Sequence, residues 1–123
     1  MLIAAGILMA VLGIAHSILG ERHVIGFLLA QERLPPIAGG RSVAAGTIRF
    51  AWHVTSVLAI AIALALVLIG VDASLQTVVA GIGWTLIACA LLPIVYTRGR
   101  HPSWAIFVVA GGLCAVSALT SAV

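Results

Sequence analysis

The residues able to do chemistry in this chain are few, and they gather at three points of the sequence. His16 is followed by Ser17 and, five residues on, by Glu21; Arg49 is followed by Trp52, His53 and Ser56; Arg100 is followed by His101 and Trp104. Imidazoles held at matched depth on two helices are what a bis-histidine haem or a first-row metal ion needs. His16 and His53, with His101 or Glu21 as a further ligand, are therefore the candidate ligands for a metal or haem. Glu21 with the histidines is also the inventory of a proton relay in a small transporter. The third reading is a structural hydrogen-bond network, and it leads. No histidine pair has ligand spacing on one helix, no Cys or Met lies nearby, and no nucleophile–base pair stands out to indicate an enzyme. The site set is His16, Ser17, Glu21, Arg49, Trp52, His53, Arg100, His101 and Trp104, with His16, His53 and His101 as the metal candidates.

The elements that must position these residues follow from the charges. All six cations are arginines, at 22, 33, 41, 49, 98 and 100, and between the charged residues lie four uncharged spans: Met1–Gly20, Phe50–Val71, Ala73–Thr97 and His101–Val123. Each is long enough to cross a hydrocarbon core of ~30 Å, which takes about 20 apolar residues. With 63% hydrophobic and 7% charged residues, the chain has too little polar surface to cover a water-soluble core, against a usual charged share of about 25%. The expectation is an all-α membrane protein: a single domain over 1–123, an up-down bundle of four transmembrane helices at about 2–20, 43–70, 75–97 and 102–122.

Between helices one and two, the segment 23–34 is apolar on one side, with Val24, Ile25, Leu28 and Leu29 together, and too short to cross. It predicts a short interfacial helix, ended by Pro35 and Pro36. Ser42 is a good N-cap for the second helix and Gly70 a plausible C-cap. Pro93 should bend the third helix, and Gly99 should close it. The very short 98–101 loop makes helices three and four antiparallel neighbours, with Pro102 in the first turn of the last.

Both Arg clusters then lie on one side, which is cytoplasmic by the positive-inside rule. This places loops 21–41 and 98–101 in the cytoplasm and both termini outside, in a bacterial inner membrane. The arginines flank spans instead of forming a stripe on a folded face, so nucleic acid is a poor partner; anionic lipid headgroups suit them better. A membrane-protein partner or a second copy is the other class of partner this composition suits.

At 1.5 Å per residue, His16 and His53 both lie roughly 6 Å inside the Arg-rich end. Arg49, Trp52, His53 and Ser56 share one helix face, and an Arg49–Glu21 ion pair beside the two histidines is the natural arrangement. Polar side chains at such depth face the bundle interior, here joining helices one, two and four, while Trp52 and Trp104 mark the headgroup boundary. His23 is expected to be solvated, and Trp84 to pack against Gly81 across the bundle. Cys89 and Cys114 differ in depth by roughly 8 Å and read as small apolar packing residues.

The motifs Ala15-His16-Ser17 with Gly20-Glu21, Arg49-Phe50-Ala51-Trp52-His53 with Thr55-Ser56, and Arg98-Gly99-Arg100-His101 with Trp104 give the chain a resemblance to a family of small bacterial four-helix inner-membrane proteins. That resemblance implies the fold and brings no activity or cofactor. The chain is also similar in length and helix count to the small multidrug-resistance transporters. It departs from their pattern because their carboxylate lies deep in helix one, whereas Glu21 stands at the exit. The functional expectation is a small accessory or interaction protein with a structural polar cluster, with enzyme activity left open as the lesser reading; the alternative is metal or haem binding, and after it proton-linked transport.

Overall fold

The computed structural model describes residues 1–120, and their regular structure is all helical. Helix α1 runs as one rod over Leu2–Leu29. It is α-helical over Leu2–Leu19, widens into a π-helical turn over Gly20–Ile25, and ends with one α turn over Gly26–Leu29. No proline lies between Leu19 and Leu29, and Gly20 and Gly26 both keep right-handed helical φ and ψ instead of the left-handed conformation of a terminating glycine, so the backbone does not break there. The separate interfacial helix expected over 23–34 is accordingly not a distinct element: its first half is the end of α1 and its second half is irregular. Single π turns inside α-helices are rare and concentrate at functional sites. This one wraps Glu21, whose carbonyl accepts from the Gly26 N–H five residues on.

The last carbonyls of any helix lack partners within it. In α1 the Leu29 carbonyl is met by Arg41 at 2.8 Å, which also donates to the carbonyls of Gln31 and Glu32 in the segment just beyond, at 2.8 and 2.9 Å. A cation at this end also complements the helix dipole.

Helix α2 spans Gly40–Gly70, 31 residues, about 46 Å at 1.5 Å per residue. It starts ahead of Ser42, which therefore lies inside the first turn and does not cap it. The entry is made instead by Gly39 in the left-handed region at φ 96°. Helix α3 spans Leu75–Thr97, capped by Ser74, whose hydroxyl accepts from the Thr77 N–H at 3.2 Å. It ends through two left-handed residues, Arg98 at φ 54° and Gly99 at φ 73°. Helix α4 spans Ser103–Thr120; the end expected at 122 lies outside the described residues. The buried Thr97 hydroxyl ties the α3–α4 corner, donating to the Pro93 carbonyl at 2.6 Å and accepting from the His101 N–H at 3.1 Å.

All four helices are long and apolar enough to cross a membrane. They pack in series, α1 on α2, α2 on α3 and α3 on α4, and among the described residues no broad contact closes α1 onto α4. The expectation of a compact bundle gives way here to an open row of antiparallel helices. The reason lies in where the glycines fall, since each seam is built around them. A Cβ on Gly6 would meet the Ala63 carbonyl at 2.8 Å, and one on Gly13 the Ser56 carbonyl at 2.9 Å, so α1 and α2 approach backbone to backbone. Gly83 and Gly111 face one another across α3 and α4, a Cβ on either lying 2.9 or 2.7 Å from the other's carbonyl oxygen. Small residues at such seams are what drives helix association where apolar burial cannot. The outer faces of α1 and α4 carry large apolar side chains such as Leu8, Val11, Ile106 and Leu113, all exposed. Trp84 joins them: at 66% exposure it lies on an outer face and is not packed across the helices as expected.

Candidate functional site

The antiparallel seam between α1 and α2 brings the Arg-rich ends of both helices level. Gly20 sets the approach, because a Cβ there would overlap the Trp52 indole. At the next residue, the Glu21 carboxylate receives Arg49 on one oxygen, from Nε at 3.0 Å and Nη2 at 2.9 Å. Its other oxygen faces His53 Nε2 at 3.3 Å. His53 Nδ1 in turn lies 2.6 Å from the Ser17 hydroxyl. The result is one chain, Arg49–Glu21–His53–Ser17, that crosses the seam three times. With an Nε2–H donating to the carboxylate, a neutral His53 presents Nδ1 as the acceptor for the Ser17 O–H.

His16 makes a second, separate set. Its Nδ1 lies 3.0 Å from the Ser56 hydroxyl and 3.4 Å from that of Thr55. Thr55 spends its proton on the Trp52 carbonyl at 2.6 Å. Trp52 stacks flat on the His16 ring and donates its indole N–H to the His16 carbonyl at 3.0 Å. Trp52 is thus a packing element of the seam. Beside this set, Leu12, Gly13, His16, Thr55, Ser56 and Ala59 line a shallow groove of about 150 Å³.

The third histidine stands apart. His101 caps the start of α4, its Nδ1 accepting from the Ser103 N–H at 3.3 Å and lying 2.9 Å from the Ser103 hydroxyl. Its ring meets Phe50 of α2 edge-on, with centroids 4.8 Å apart. Arg100 is exposed, with no side-chain partner among the described residues, and Trp104 is 38% exposed on α4. His23 is exposed as well. The network thus joins α1 and α2, with α3 entering through Tyr96, whose ring lies 5.8 Å from that of His53 and nearly parallel to it; α4 does not take part as expected. Among the described residues no three His, Cys, Asp or Glu side chains are grouped to hold a metal ion. Both nitrogens of His53 are already engaged. Cys89 is buried, and neither it nor Cys114 is disulfide-bonded.

Sequence reasoning placed Arg41, Phe50 and Thr55 at this end but missed their contacts, and it missed Tyr96 altogether. Tyr96 had a usable signal, being the one ring-bearing polar residue at the Arg-rich end of α3. The Ser17–His53 bond had none, since it depends on the rotation of two helices about their axes. Family models, characterised proteins and solved structures were all compared with the chain, and none gives a match.

Proposed function

We propose that the chain is an integral protein of a bacterial inner membrane, an accessory or interaction protein whose polar cluster locks α1 to α2 at the cytoplasmic end. One observation carries this reading: Ser17, Glu21, Arg49 and His53 each find their partner within the set and across the same seam, which is how a structural network satisfies polar groups in an apolar setting. Lipid is the primary partner. The exposed apolar faces of α1 and α4 suit it, and they equally suit a further membrane helix. In this topology loops 21–41 and 98–101 are cytoplasmic and both ends of the chain lie outside.

Two measurements test the reading. The protein in detergent is expected to show no Soret band and no equivalent of bound metal, and His53→Gln is expected to melt lower. Haem or metal near one equivalent, lost on His53→Ala, would put the alternative in its place, a metal or haem centre on His16 and His53. For the topology, a reporter inserted near Gly40 is expected inside and one fused after Val123 outside; the reverse pattern would overturn it.

A further inference from the structure

The chain that locks α1 to α2 has a second chemical content, which goes beyond the structural role. A nucleophile within hydrogen-bond reach of a base, itself oriented by a third group, is the arrangement that activates serine for attack on acyl groups. Ser17 Oγ, His53 Nδ1 and Glu21 Oε2 stand in that order, at 2.6 Å and 3.3 Å. Arg49 fixes the carboxylate through two nitrogens, and Tyr96 backs the imidazole ring. Ser17 is only partly buried, so an electrophile can approach it. We infer that Ser17 is the nucleophile of an acyl-transfer site, with His53 as its base and Glu21 as the positioning residue, acting on the ester of a membrane lipid.

The substrate class follows from depth. Ser17 lies five residues before Arg22, about 7.5 Å along the helix. A bilayer of ~30 Å core and ~40–45 Å total leaves about 5–8 Å of polar layer on each side. An arginine at headgroup level therefore sets Ser17 near the inner edge of that layer, where acyl esters lie. In the step, Ser17 Oγ bonds to the ester carbonyl carbon as its proton passes to His53 Nδ1. The tetrahedral species collapses with cleavage of the ester C–O bond, and His53 returns the proton to the departing alcohol. Water, deprotonated by the same nitrogen, then releases the acyl group as a carboxylic acid and restores Ser17.

Two strong N–H donors of this end are already spent, the Trp52 indole on the His16 carbonyl and the Arg49 guanidinium on Glu21. The acceleration therefore rests on base activation, about 10²–10⁴-fold, and covalent capture reads it better than turnover. Membranes containing the protein are treated with a long-chain alkyl fluorophosphonate and the adduct is mapped by peptide mass. The expected result is a single adduct on Ser17, absent in Ser17→Ala and formed about 100-fold more slowly in His53→Gln. No adduct on Ser17, or an equal rate in His53→Gln, would overturn the inference and leave the structural role intact. Because His53→Gln also loosens the seam, a second pair is read in parallel. The Ser17→Cys thiol should be alkylated by iodoacetamide much faster than an Ala15→Cys thiol of similar burial on the same helix, both with His53 in place. Equal rates there would overturn the inference too.

Discussion

The Trp52 indole lies flat against the His16 imidazole, ring centroids 4.6 Å apart and planes 4° from parallel, and its N–H returns to the carbonyl of the same histidine. One side chain of α2 thereby grips both the ring and the backbone of one residue of α1. The neighbouring Gly20 leaves the space for it.

The two halves of that grip are separable. Trp52→Phe keeps an aromatic ring over His16 and removes the N–H with a small part of the ring surface. The His16 carbonyl still accepts from the Gly20 N–H, so the hydrogen-bond share of the loss is expected to be about 0.5–1 kcal/mol. Trp52→Ala removes the ring as well and should cost about 3 kcal/mol or more. Unfolding in mixed micelles on titration with denaturing detergent measures both; equal losses would mean that the stack contributes nothing.

Glycines on the seams and off them should behave differently. Gly20→Ala drives a methyl into the indole, and Gly111→Ala drives one into the Gly83 carbonyl and Ile87. Each is expected to cost about 1–3 kcal/mol as overpacking. Gly112 is the next residue, but a Cβ there meets nothing within 4 Å, so Gly112→Ala should stay within about 0.5 kcal/mol of the parent. The same micelle unfolding reads all three. A neutral Gly111→Ala would contradict the backbone-to-backbone packing of α3 on α4.

Arg41 gathers three carbonyls from residues up to twelve positions away. Its replacement by Ala returns them to solvent, where water can satisfy them, so global stability should change little. The local effect should be clear: amides at the end of α1 are expected to exchange with deuterium faster, while those of α3 keep their protection. Unchanged exchange around Leu29 would show that the capping is not formed in solution.

How much of this was legible in the sequence depends on the physics behind each feature. The four helices were, because uncharged spans between arginines report length and hydrophobicity directly. Glu21 and Arg49 could be placed at one level for the same reason. The end of α1 was not, because a π turn has no residue signature, and Val24 to Leu29 suit a continuing helix as well as an interfacial one. Closure into a bundle was assumed from helix count, whereas serial packing depends on which faces carry glycine. Gly83 and Gly111 pair across one seam while Gly112 beside them meets nothing. The assignment of Ser17 to His53, and of His16 to Ser56 and Trp52, rests on helix rotation, which apolar periodicity defines poorly when every face is apolar.

Glu21 and Arg49 clasp α1 to α2, and a double-mutant cycle on Glu21→Gln and Arg49→Gln reads that contact itself. Both side chains are about 40% exposed, which holds the expected coupling near the usual range for interhelical polar contacts, about 0.6 up to 1.7 kcal/mol. Single variants that each lose stability, with a double variant that loses less than their sum, are the predicted result. Strictly additive losses would mean that the two groups do not meet, and would contradict the clasp.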